Sequence, residues 1–187
     1  MKKITSLLAL LLAGSSMAAF AQAPKTEEHH TLAQVLDRSV SGIENEFVSA
    51  ADAMPEDKYS FAPTAGEFKG VRTFAQQVKH VAAVNYLIGA SILTQKPPIE
   101  LGGENGPDSI TSKADIIKFL KDSYAYAHKA VNTVDEKNQV DPIPSPFGQG
   151  QTTRLGMSAL VVAHGFDHYG QMVVYLRMNG IVPPASR

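Results

Sequence analysis

The chain has 187 residues, enough for one domain, and 44% of them are hydrophobic, so it can bury a real core. Basic and acidic residues nearly cancel, giving a formal net charge of −1; with no basic run or patch, nucleic-acid binding has no electrostatic footing. Cysteine is absent. This excludes disulfides, thiolate metal sites and a cysteine nucleophile, so a metal would have to be held by His, Asp, Glu or backbone groups.

In chain order, Met1-Lys2-Lys3 is a basic start, Ile4 to Ala13 a short Leu/Ala-dominated run, and Ala19-Phe20-Ala21 an A-x-A sequence. That is the pattern of a secretory signal, expected over residues 1–21 with cleavage after Ala21, or after Ala23 as the second choice. The apolar run is too short for a membrane span, and no cysteine follows it to carry a lipid, so no stable membrane anchor is expected. The mature protein is expected outside the cytoplasm. Residues 22–30 are polar and read as a flexible leader, with His29-His30 in a solvated tail.

The domain is expected over residues 31–187. Leu32, Val35, Leu36, Ile43, Phe47 and Ala50 form a helical stripe from about Thr31, a fitting N-cap, to Ala53, where Pro55 stops it. The following loop, 58–69, carries Tyr59 and Phe61, aromatics expected to fold back onto the helices. A second helix is expected from Val71 to Leu93, with Phe74, Val78, Val81, Asn85, Ile88 and Ile92 as its buried stripe. His80, Val84, Leu87 and Ser91 form the neighbouring row. Residues 95–110, rich in Pro and Gly, form a long connection. The third helix is expected from Thr111 or Ser112 to about Lys137, with Ser112 as cap. Another Pro/Gly loop covers 141–150. The last helix is expected from Thr152 or Thr153 to Asn179, with Gly180 as its left-handed end and Pro183-Pro184 beyond. No segment has the alternation of a sheet. The chain is therefore all-α, an antiparallel four-helix bundle with long crossover connections.

His164 and His168 stand four apart on one face of the last helix, at a spacing where two imidazoles can share one ion. The residues between them lack the Glu of H-E-x-x-H, so the zinc-protease pattern fails. They interrupt an apolar helix, and buried imidazoles need partners. A third ligand must come from another helix, and His80, beside the buried stripe of the second, is the best candidate. Three imidazoles suit zinc first, with nickel or iron as alternatives, and leave a coordination position open. Asp167 reads as solvated, Gln171 as able to contact a bound water, and Tyr169 and Tyr175 as packing residues with one polar end. His128 reads as a partly exposed structural residue, Asn85 and Tyr86 as pocket linings, and Arg177 as favoured by the helix dipole.

The stretch from His164 to Pro184, H-x-x-x-H-Y-G-Q…Y-L-R-x-N-G-I-V-P-P, resembles the last helix and tail of the DinB/YfiT-like family. Met54 to Tyr59, Phe61 to Thr64, Arg72-Thr73-Phe74 and His80-Val81 are similar to that family's first link and second helix. The resemblance runs from about residue 31 to 184. It implies a four-helix bundle, often a homodimer, with a metal held by one His of the second helix and two of the last, which fall on His80, His164 and His168. A metal-dependent hydrolase acting on an unknown small molecule is the function expected. A non-enzymatic extracytoplasmic metal- or ligand-binding module is one alternative, and a thiol-dependent transferase or isomerase the other. The last suits an exported protein less, since low-molecular-weight thiol cofactors are mainly cytosolic.

Overall fold

Each long helix starts where a side chain can satisfy its orphan N–H groups. The computed structural model describes residues 29–187, and its first helix, α1 (Leu32–Ala53), is capped by Thr31, whose hydroxyl accepts from the Gln34 N–H while Gln34 accepts from the Thr31 N–H. Thr73 and Gln76 repeat this reciprocal pair at the start of α2 (Phe74–Ile92). Ser112 caps α3 (Lys113–Val131), and Thr153 caps α4 (Arg154–Met178). At the far end of α4, Gly180 takes φ 74°, and the N–H groups of Gly180 and Ile181 turn back to the carbonyls of Arg177 and Leu176. Only a residue tolerant of the left-handed region closes a helix this way, and glycine does so without a Cβ clash.

The four helices form a bundle in which α2 packs between α3 and α4, and α1 closes the other side against the same two helices. Pairings along the helices give their directions. Lys113 reaches the Asp52 carbonyl and His128 reaches Asp37, so α1 and α3 run antiparallel. Gln77 meets Gln171 and His80 meets His164, so α2 and α4 do too. Tyr86 stacks near Phe119 while Gly89 abuts Ala130, making α2 and α3 parallel. The bundle expected from the hydrophobic stripes is borne out, and its lengthwise crossover is the 93–112 connection, which returns along α2.

That crossover is held down by charge. The Lys79 ammonium donates to the carbonyls of Pro107 (3.0 Å) and Ile110 (3.2 Å), and the Arg72 guanidinium to Asn105 Oδ1 (2.8 Å) and Glu104 Oε2 (3.2 Å). With the crossover over it and helices on its other sides, α2 is buried nearly all round, including Gln77, Lys79 and Asn85.

Several expectations need correction. The second helix begins at Phe74, not Val71, because Thr73 supplies the cap. The third ends at Val131 instead of running to Lys137. Asp135 Oδ1 accepts from the Lys137 and Asn138 N–H groups, and Asn138 Oδ1 accepts from the Asp135 N–H, so local turns take over from the helix. The segment expected as a 141–150 loop contains a three-residue strand, β1 (Pro142–Pro144), paired antiparallel with β2 (Gln151–Thr153), with Ile143 opposite Thr152. Asn85 and Tyr86, expected as pocket linings, are core residues: Asn85 is buried against Ser123, and Tyr86 packs between Phe119 and Tyr126. The aromatics of the first loop do fold back, with Tyr59 against Phe74 and Phe61 against Tyr175. The expected signal over residues 1–21 and most of the 22–30 leader lie outside the described residues; His29 and His30 are exposed.

Candidate metal centre

The i, i+4 spacing places His164 and His168 on the α4 face that meets α2, and the antiparallel crossing sets His80 opposite them. The three rings are mutual neighbours, with centroids 5.1 Å apart for His80–His164, 4.8 Å for His80–His168 and 4.5 Å for His164–His168. One nitrogen from each ring lies within 4.8 Å of the other two, an arrangement that could hold a metal ion. His80 Nε2 and His164 Nε2 are 3.2 Å apart. Two ligands on a tetrahedral ion, with bonds of about 2.0–2.1 Å, stand about 3.4 Å from each other. That pair is already spaced for coordination.

Hydrogen bonds at the other ring nitrogens select the tautomers. His80 Nδ1–H donates to the Glu104 carbonyl at 2.5 Å, and His168 Nδ1–H donates to Gln77 Oε1 at 2.6 Å. Both rings then carry an unprotonated Nε2, the form a metal requires. Behind His168 the relay continues, Gln77 Nε2 donating to Gln171 Oε1 (2.8 Å) and Gln171 Nε2 reaching Asp167 Oδ2 (3.4 Å). His164 Nδ1 is buried without a partner among the described residues, and in the ion-free protein its Nε2–H can donate to the bare Nε2 of His80 (3.2 Å), a proton that an ion would displace. Lone pairs gathered in a half-buried spot, with no carboxylate among their hydrogen-bond partners, fit a cation.

Burial is the chief reason that all three imidazoles resist protonation. It pushes His164 down to about 3, helped by His168 and His80, and His168 down to about 4, helped by His80 and Arg72. His80 is lowered as well, with its bond to the Glu104 carbonyl opposing the shift. In the unfolded chain these groups titrate near the ordinary value of about 6.5. As pH falls below that, the unfolded state takes up protons that the folded metal-free state refuses until about 4 and 3, so stability drops with falling pH. Urea titrations of chelated protein between pH 7.5 and 4.5 should show this loss, and His164→Asn should show a smaller one. Equal pH slopes for the two proteins would contradict the burial argument.

The other singled-out residues fall into place around this cluster. Gln171 contacts Gln77 and so acts in the relay; Asp167 is exposed. Tyr175 is packed in the core with its hydroxyl donating to the Arg72 carbonyl. Tyr169 is partly buried beside Glu46. His128 stands apart, bridging Asp37 (2.7 Å) and Glu44 (3.0 Å) between α1 and α3, the structural role expected for it. Sequence reasoning missed Gln77 and Glu104. Gln77, one helical turn before His80, left a faint signal as a polar residue in a buried helix. Glu104 contributes only its carbonyl, which leaves none.

A helical bundle with a histidine cluster between its second and last long helices defines the class of protein. The sequence model of the DinB superfamily matches residues 41–172, and the chain belongs to that superfamily. Among solved structures it is similar to a DinB-like protein from Bacillus cereus ATCC 10987, with TM-score 0.61 and 17% identity, covering 80% of this chain and 93% of the other. At that identity the likeness concerns the fold. No curated protein matches the chain.

Proposed function

We propose that this is an extracytoplasmic divalent-metal protein in which His80, His164 and His168 hold one ion, zinc first and nickel or iron next, with a coordination position open to a small-molecule ligand. The observation that carries this reading is the pair of Nδ1–H bonds to the Glu104 carbonyl and Gln77 Oε1, which leave Nε2 of two rings free beside the third. Export rests on the signal-like pattern of residues 1–21. When bound, such an ion supplies Lewis acidity that can polarise a carbonyl or acidify a water. Metal-assisted hydrolysis is the reaction this favours.

The chain's own residues orient the ligands and shape the surroundings. The Glu104 carbonyl and Gln77 fix two rings, and Arg72 contributes positive charge near all three. A second reading, a non-enzymatic binding module, is favoured by the acidic side chains around the site. Glu104 is paired with Arg72, and exposed Asp167 accepts from Gln171 at 3.4 Å, so neither is placed as a general base.

Metal analysis of protein purified without chelator is expected to find a single divalent ion per chain, lost in each of His80→Ala, His164→Ala and His168→Ala. Retention in all three variants would remove the proposal. Turnover of any member of a panel of esters and amides by the loaded protein, absent in the variants, separates the hydrolase from the binding module.

A further inference from the structure

Beside the triad lies a cleft of about 380 Å³, at the lower end of the size range of small-molecule sites. Its floor is the outward row of α2, His80, Ala83, Val84 and Leu87, and its opposite wall is the crossover at Leu101 to Glu104. Phe147, from the loop between β1 and β2, stands at the rim and is half exposed. The lining is almost wholly apolar, and His80 is the one member shared with the histidine cluster.

Charge constrains the other end of whatever enters. Three neutral imidazoles leave the full charge of a divalent ion uncompensated, and the nearby Arg72 and Glu104 are paired with each other and so do not offset it. A ligand that completes this site gains most by presenting an anionic oxygen to the ion. A cleft with an apolar lining next to that ion rewards a hydrocarbon body.

Resting on the metal reading above, we infer that the ligand of this centre is a small amphiphilic acid or its derivative: an anionic, metal-seeking head at the triad and an aliphatic or aromatic body in the cleft between α2 and the crossover. A short polar metabolite fills the open position and leaves the apolar walls in water.

The test uses the zinc-loaded protein and a series of straight-chain hydroxamates from acetohydroxamate to octanohydroxamate, with affinities measured by calorimetry. Each added methylene is expected to tighten binding about three- to fourfold until the cleft is full. Ala83→Leu, which fills the floor, should shorten the series at which affinity levels off while leaving zinc and acetohydroxamate binding unchanged. Should that variant fold poorly, Phe147→Ser at the exposed rim should weaken the longer hydroxamates alone. Zinc binding with acetohydroxamate affinity equal to that of every longer homologue overturns the inference and leaves the metal centre standing. Failure of the protein to bind zinc, nickel or iron overturns both, and the two results are distinguishable.

Discussion

Gly165→Ala is expected to destabilise the protein by about 1–3 kcal/mol, against a helix propensity that alone would favour alanine by about 1 kcal/mol. A Cβ at position 165 falls 2.6 Å from Ile43 Cγ1, with the Tyr124 hydroxyl oxygen 3.6 Å away. Ile43 is fully buried on α1, and its β-branched side chain has few rotamers to move into. Relief therefore requires α1 and α4 to separate, and Gly165 follows His164 directly, so the cluster is disturbed as well. Gly170, one and a half turns further on, is the control: a Cβ there meets nothing within 4 Å, and Gly170→Ala should be neutral or stabilising. Urea denaturation of the two variants separates close packing from backbone entropy. Equal behaviour would show that the helices can part at little cost.

Gln77→Leu is expected to weaken metal binding about 10- to 100-fold while keeping the fold. The substitution removes the acceptor of the His168 Nδ1 proton and the donor to Gln171 Oε1. The His168 ring can then exchange tautomers, and the fraction presenting Nε2 to the ion falls. Gln77→Glu restores an acceptor and should recover affinity. Competition against a chromophoric chelator measures both. Unchanged affinity in Gln77→Leu would mean that packing alone orients His168.

These two positions also mark where the sequence was legible and where it was not. Thr31, Ser112 and Thr153 announce their helices because a capping hydroxyl acts within one turn, and Gly180 announces an end for the same local reason. The helical stripes gave the bundle, since apolar residues at steps of three and four can only be buried by packing faces together. Bundle order is different. That α2 is parallel to α3 depends on how the 93–112 connection lies along α2, and that is fixed by Lys79 and Arg72 binding carbonyl and side-chain oxygens about 30 residues away. On α2 periodicity found the buried stripe, Phe74 to Ile92, but not the burial of Gln77 and Lys79 beyond it, because a helix covered on nearly every side has no polar face to contrast with. His164 and His168 were legible from spacing. The third ligand came from its place beside the second helix's stripe and from the family resemblance. The partners that orient the rings came from neither, since one is a main-chain carbonyl and the other a glutamine indistinguishable by pattern from its neighbour Gln76.

His80 and His164 stand 84 positions apart in the chain. An ion gripping both, together with His168, is a removable cross-link across nearly half the polypeptide, in a molecule that has no cysteine to make a permanent one. Tethering a loop of that length costs the denatured ensemble about 4–5 kcal/mol of lost freedom on the polymer model used for disulfides. Where the export reading holds, the supply of metal outside the cytoplasm would then set the protein's lifetime as well as its chemistry.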